Sequence, residues 1–286
     1  MTTADDAEAL AARYGLRRVG TRPALGPYLR SVWGVRDFIL TLARYRVRAQ
    51  DERFRLGMLW IVLKPVFDAA VYGAVFGLVL GSHRPPNYVP FLVTGVFTFS
   101  LFRGCIERGT RSLTGNAALI HSIRFPRMAM PLSEVIRELI NFLPVLAILL
   151  IVVLAFGTPP SWQWLLLVPV LAIYVVFCAG LALIFARLNA VSRDVQNVVP
   201  LIIRLLLWGS GVFFDVHRTF AHNAVVLHAF EWTPLAPFLG LMRGLLLSGY
   251  LVTGQQWIAA LVWALALALF GVVFFWQAEE RYGQYV

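Results

Sequence analysis

An arginine-rich amphipathic stretch, VWGVRDFILTLARYRVRAQDERFRLG, runs without interruption into an apolar span that opens MLWIVLKPVF. From Val35 the apolar positions Phe38, Ile39, Leu42 and Tyr45 recur at helical spacing, with Asp37, Thr41, Arg44 and Arg48 on the other side. A helix of this kind lies in the bilayer surface with its apolar face at the lipid boundary. The span that follows then turns into the bilayer. This order argues against a soluble enzyme. It also argues against a cleaved leader, because the charged N-terminal region has no uninterrupted apolar core and no small-residue cleavage site.

Composition agrees. Of the 286 residues 59% are hydrophobic and only 14% charged, and the mean hydropathy is +0.72. Apolar runs close to the roughly 20 residues that cross a bilayer as helix place crossings at about 56–80, 88–108, 131–156, 164–186, 198–214 and 257–276. The expected fold is an all-α polytopic membrane protein. It has a tail at 1–29, an N-terminal amphipathic interfacial helix at 30–55, and six transmembrane helices within 56–286. Residues 215–254 break the pattern with Pro234, Pro237 and the piece FLGLMRGLLL, too short to cross. They read as a re-entrant or surface hairpin between helices 5 and 6. His217, His222 and His228 fall there without tight ligand spacing, so no metal site is expected. Cys105 and Cys178 sit in apolar runs and read as small core residues.

The net charge of +10 is decided by its placement. Eleven arginines precede Met58, and further ones cluster in the 109–128 and 187–197 connections, whereas 81–87, 157–163 and 215–254 are poor in them. That is the positive-inside pattern. It puts both termini in the cytoplasm and favours membrane lipids with anionic headgroups over nucleic acid. Lys64 is the single lysine beside twenty-four arginines, as codon bias in a GC-rich bacterium would produce.

Charges inside apolar spans are costly and need partners. Arg103 and Glu107, four apart, can pair on one helix face, and Asp68 and Arg108 are further cases. Glu134, Arg137, Glu138 and Asn141 form a polar stripe that faces either a pore or solvent. Phe67, Tyr72, Phe76, Trp208, Phe213 and Phe214 either line a sugar channel, stacking on pyranose faces, or pack and face lipid. Gly73, Gly77 and Gly81 give a GxxxG series for close helix packing. No GxxxxGK[ST] phosphate loop occurs in the sequence, so ATP cannot be held here by that route.

Two motifs carry a family resemblance. One is LGMLWIVLKP. The other is N-x-x-L-I-x-x-x-x-F-P-R-x-x-x-P-L-S, matched at Asn116, Leu119, Ile120, Phe125, Pro126, Arg127, Pro131, Leu132 and Ser133. With SRDVQNVVPLI, WGSGVFFD and WTPLAPFLGLMRGLLLSG in order, the chain from about residue 30 to 286 resembles the permease subunit of ABC-2 type polysaccharide exporters, the O-antigen and teichoic-acid group. The resemblance implies a coupling helix within 115–128 that docks on a separate P-loop ATPase. Asn116, Leu119, Ile120, Arg124, Phe125, Pro126 and Arg127 would serve there, with Arg193 and Asp194 as a smaller contact. Read from residues alone, the same stretch is a short helical piece rimmed by Arg111, Arg124 and Arg127 and broken by Pro126, or an ordinary basic loop.

The resemblance further implies a homodimer of permeases with two ATPases and a pore between the permeases. This chain would be no enzyme and hold no cofactor; ATP and Mg would sit on the partner. Arg44, Arg48, Arg103, Arg108 and Arg111 would receive the pyrophosphate of a lipid-linked glycan, or else snorkel and pair internally. Arg103 and Asp68 depart from the more apolar family pattern. Teichoic acid, a drug or a lipid are alternative cargoes, and a GC-rich source makes galactan another. The rival from a different class is a membrane-embedded enzyme of glycan assembly, for which the sequence lacks an acidic cluster to hold a metal and pyrophosphate.

Overall fold

The computed structural model describes residues 23–51, 59–81, 85, 87–220, 222–280 and 282. Leu56, Gly57 and Met58 of the LGMLWIVLKP junction, Arg53, Arg55 and residues 1–22 lie outside that set. The described residues are helical, without strands. In chain order the helices are α1 (Leu25–Gly34), α2 (Arg36–Asp51), α3 (Leu59–Leu80), α4 (Tyr88–Arg111), α5 (Ala117–Ser122) and α6 (Ala129–Ala155). They continue as α7 (Leu167–Val191), α8 (Val195–Gly209), α9 (Val216–Thr219), α10 (Ala224–Glu231), α11 (Ala236–Leu246) and α12 (Gly254–Gln277).

Among these, five spans are long and apolar enough to cross a membrane: α3, α4, α6, α7 with its one-turn lead-in Trp162–Leu166, and α12. The protein is an all-α, multi-pass membrane protein. Helix α4 is its axis. Phe91, Phe97, Phe99, Phe102, Cys105 and Ile106 are all buried, packed by α3, α6, α7, α8 and α11. Helix α3 is the outlier and buries little of itself. Tyr174 of α7 donates its hydroxyl proton to the Thr98 carbonyl of α4 (3.1 Å), so the phenol is satisfied in an apolar core.

The closest helix contact is α7 on α12. A Cβ added to Gly180 would lie 2.5 Å from the Leu267 carbonyl, and one on Gly271 would strike the Gly180 carbonyl. Two glycines facing one another let the backbones touch, which is how helices gain packing where lipid offers no hydrophobic drive. Of the predicted glycine series, Gly73 sits 3.1 Å (by its notional Cβ) from Leu92 of α4 and Gly77 3.9 Å from Tyr88, whereas Gly81 (φ 49°) lies past the end of α3 with nothing within 4 Å.

The sequence range 198–214 contains only part of a crossing. Helix α8 has 15 residues, Val195–Gly209, and ends where Ser210 and the left-handed Gly211 (φ 75°) turn the chain. At 1.5 Å per residue it reaches about 22 Å, short of the roughly 30 Å hydrocarbon core. The predicted hairpin follows as the pair Val225–Glu231 and Ala236–Leu246, bent by 86°. Arg243 of α11, fully enclosed, fastens it to the α8 exit: it donates to the carbonyls of Gly211 (2.9 Å) and Val212 (2.8 Å) and lies 3.5 Å over the Phe91 ring. The non-helical backbone is thereby buried in protein, as membrane depth requires.

Helices α1 and α2 run along the arginine-rich end. Their buried stripe is Tyr28, Val32, Ile39, Ala43 and Val47, packed on α6 and its approach. Asp37, Thr41, Arg44 and Arg48 are exposed, as the helical spacing requires. Tyr45, predicted on the apolar face, is 68% exposed, and the inward place belongs to Arg46. Leu29, Trp33, Leu40 and Tyr45 make a separate outward apolar set, with Arg36 5.5 Å over the Trp33 ring. Those side chains suit a bilayer surface.

Candidate functional site

The segment between α4 and α6 is a short, poorly helical excursion. A 3-10 turn at Thr114–Asn116 leads to the six-residue α5, and Ile123 is extended before Pro126 prevents a run-on into α6. Its two sides differ. Leu113, Ile120 and Met128 are buried, and Phe125 packs its ring 5.3 Å from Phe38 of α2. Ala118, His121, Ser122, Ile123 and Arg124 are exposed.

The predicted docking set therefore divides. Arg124 faces outward, with Ile123 and His121 beside it. Ile120 is buried, Leu119 and Phe125 are half-buried in an apolar cluster shared with the chain's own interfacial helices, and Pro126 and Arg127 are half-buried, Arg127 against Glu279. The apolar face expected to meet a partner is occupied internally.

Polar contacts set the height of this segment. Asn116 accepts from Arg46 Nη2 (2.9 Å) and donates to the Ser112 carbonyl (2.7 Å). Asn189, buried at the end of α7, donates to the Thr110 carbonyl (2.9 Å) and Thr114 Oγ1 (3.2 Å) and accepts from the Gln196 N–H (3.1 Å). One side chain thus ties the ends of α4 and α7 to the start of α8. Arg193 and Asp194, exposed in the turn between α7 and α8, are held at the same end as Arg124.

Beside this segment, α2, α3, α4 and α6 enclose a cavity of about 950 Å³. Arg46, Lys64, Arg103, Arg108, Arg111 and Arg137 line it, opposed by Glu107, Glu134 and Glu138. Most charges are matched. Arg46 Nη1 donates to Glu134 (2.6 Å) and Ser133 (2.8 Å), Arg137 to Glu134 (3.1 Å) and Gln50 (2.6 Å), and Arg108 to Glu138 (2.5 Å).

Arg103 pairs with Asp68 of α3 (3.1 Å), not with Glu107 as spacing along one helix had predicted. The interhelical partner sits closer in space, and Glu107 makes no ion pair among the described residues. Glu134, Glu138 and Asn141 are buried, so the predicted stripe is an internal network and no solvated helix end. Gly104 makes room for it: a Cβ there would collide with the Glu138 carboxylate. Burial lowers the pKa of Arg46, and Glu134 opposes that shift.

Among the described residues, the side chains of Lys64 and Arg111 have no hydrogen-bonded or ionic partner, and both face the cavity. A space with two uncommitted cations at the edge of an outlying span can hold an anionic group attached to an apolar tail. Of the five arginines predicted for such a role, Arg103, Arg108 and Arg111 line the cavity. Arg44 and Arg48 sit on the exposed side of α2, away from its lining.

The model of the ABC-2 type transporter family matches residues 39–247. The chain belongs to that family. It is 28% identical over 254 residues to an O-antigen export system permease protein RfbA of Klebsiella pneumoniae, covering 87% of this chain and 94% of the relative. A protein of the same name from Myxococcus xanthus is 27% identical over 188 residues, 66% of this chain and 72% of the relative. The polysialic acid transport protein KpsM of Escherichia coli is 23% identical over 240 residues, covering 82% and 90%.

In this ABC-2 chain the predicted channel aromatics divide as well. Phe213 is fully buried, stacked on Phe76 (4.2 Å, 6° between planes) and 4.9 Å from Tyr72. Phe214 meets Phe230 edge-on at 6.4 Å. These four rings are engaged in joining α3 to the α8 exit and the hairpin. Phe67 and Trp208 are each 56% exposed and remain available to a ligand, lipid or second chain.

Several site-forming residues carried no sequence signal. Asn189 and Arg243 look like isolated polar residues in apolar runs, and Glu279 like one charge of a polar tail. Only burial separates them from ordinary ones. The expense of a charge inside an apolar run was the one available clue, and it pointed at Arg243 without naming its partners.

Proposed function

We propose that this chain is the permease subunit of an exporter that moves a lipid-linked polysaccharide across the bacterial cytoplasmic membrane, driven by a separate ATPase. The observation carrying this reading is the cavity with uncommitted Lys64 and Arg111 beside α3, in a chain whose relatives are named for O-antigen and polysialic acid export. A pyrophosphate head fits two free cations and their paired neighbours, and its lipid tail can stay beside the weakly covered α3. Arginine placement orients that end, with both termini, to the cytoplasm.

ATP and Mg belong to the partner, which docks on Ile123, Arg124 and the Arg193–Asp194 turn. Two copies of the chain assemble with two ATPases. Arg204 supports pairing. It stands exposed in the middle of α8, on one helical stripe with exposed Asn197, Leu201 and Trp208, and no partner exists for it among the described residues. A cation there requires protein or water opposite, and a path between two copies supplies both.

Ile123→Asp combined with Arg124→Glu should abolish co-purification of the ATPase while leaving the permease folded, because both side chains are exposed. Retained co-purification would refute the docking site. Lys64→Glu with Arg111→Glu should keep the ATPase bound but lower polymer export by about tenfold or more, one charge-assisted contact's worth. Export at the unaltered rate, measured as surface polymer per cell, would refute the uptake cavity.

A further inference from the structure

Just beyond α12 the chain turns at 278–280 and buries Glu279, which is 7% exposed. Its Oε2 accepts from the Tyr28 hydroxyl of α1 (2.8 Å), and its Oε1 accepts from the Arg127 backbone N–H (2.9 Å). The Arg127 guanidinium donates to the Glu279 backbone carbonyl. The Tyr28 hydroxyl oxygen also accepts from the Met128 N–H (3.3 Å). Tyr282 braces the turn, donating to the Phe275 carbonyl (3.0 Å) with its ring 4.6 Å from that of Phe275.

These bonds have a local cause. Helix α6 begins at Ala129, so the N–H groups just before it have no helical acceptor. Residues far away in sequence supply the acceptors: Glu279 for Arg127 and Tyr28 for Met128. A carboxylate at that helix start also complements the helix dipole. Burial holds the Glu279 carboxyl above the ordinary range against the opposing hydrogen bonds from Arg127 and Tyr28, and burial likewise raises the Tyr28 hydroxyl, which stays a donor.

We infer that Glu279 is a positioning residue for coupling: it binds the 123–128 segment, α1 and the end of α12 into one mechanical unit. The inference rests on the reading that 123–128 meets the ATPase. Two routes lead inward from that segment. The route along the chain passes the extended, proline-containing stretch before it reaches α6. The route through Glu279 runs by direct bonds into the end of α12. From α12 the Gly180–Gly271 contact carries a displacement to α7, since the two backbones touch there. Movement of the docking segment is therefore delivered to the α7–α12 pair and to α1 together.

Amide hydrogen exchange on the full-length chain in nanodiscs tests this. In Glu279→Ala, exchange should rise together in 24–34, 123–130 and 275–280, and stay unchanged in the α2 stretch held by Arg46. In the complex with the ATPase, polymer exported per ATP hydrolysed should fall while co-purification is retained. Glu279→Gln should recover most of both, because its amide oxygen still accepts from Arg127. Should Glu279→Ala fail to accumulate, Tyr28→Phe, which removes a single oxygen, is expected to loosen 24–34 and 123–130 in the same way. Exchange confined to 278–282, or an unchanged export-to-hydrolysis ratio in the loosened variant, would overturn the inference. Failure of the unaltered chain to bring down any ATPase would instead overturn the docking reading, and the exchange measurement would still decide whether Glu279 joins the three segments.

Discussion

Gly180→Leu should prevent the chain from accumulating in folded form, and Gly180→Ala should lower its thermal midpoint in detergent clearly. The space for a Cβ is already taken by the Leu267 carbonyl and the Ala268 nitrogen, which are backbone and cannot rotate aside. Overpacking a fitted contact costs about 1–3 kcal/mol where side chains can yield. Here two helices must separate along the firmest contact in the fold, so leucine should exceed that range. Gly271→Ala should act similarly, for its notional Cβ meets the Gly180 backbone. Gly26→Ala is the control. Nothing lies within 4 Å of its notional Cβ, it is helical, and alanine there should be neutral or stabilising by about 0.5–1 kcal/mol. Equal midpoints for Gly180→Ala and Gly26→Ala would show that the α7–α12 approach is looser than described.

Arg46→Ala should be the most damaging single change on the interfacial helices. The guanidinium bonds Glu134, Ser133 and Asn116 at once, and both members of the Arg46–Glu134 pair are close to fully enclosed. Removing one partner leaves a buried carboxylate under-compensated, at a cost of about 3 kcal/mol, the low end for such losses because Arg137 still faces Glu134. The double variant Arg46→Met, Glu134→Leu should regain only part of that stability, since it removes the buried carboxylate but leaves the Arg137 guanidinium with Gln50 alone. Arg44→Ala and Arg48→Ala, both on the exposed side, should stay within about 0.5 kcal/mol of the parent. Chemical or thermal unfolding of the purified variants separates these outcomes. A loss at Arg44 matching that at Arg46 would contradict the inward placement.

The broad architecture was legible because its signals are long. Apolar runs, arginine placement and the proline-broken 215–254 region together specify helices, crossings and a hairpin. The amphipathic pattern over 37–48 correctly set Asp37, Thr41, Arg44 and Arg48 outside. It misplaced Tyr45, and gave Arg46 no inward place, because hydropathy assumes that the inner face meets lipid, whereas here it meets the polar start of α6. A guanidinium is welcome against Glu134 and a phenol is not needed there.

The same limit shows at the site. Arg103 was paired with Glu107 because sequence spacing reveals only partners on one helix, and Asp68 belongs to another. Phe125 read as a docking residue because nothing in the sequence says that Phe38 already covers it. The fifth predicted crossing was read through WGSGVFFD as a continuous apolar run; composition alone does not register that a left-handed Gly211 ends the helix at Gly209.

The shortness of α8 has a consequence for how much material separates the two sides of the membrane. A helix about 8 Å shorter than the hydrocarbon core is thick leaves the remaining thickness to the bent hairpin. That hairpin is clipped to the α8 exit through two carbonyls by one guanidinium. The polar backbone of the turn that ends α8 is therefore satisfied by a side chain of the bent pair and not by a continuing helix.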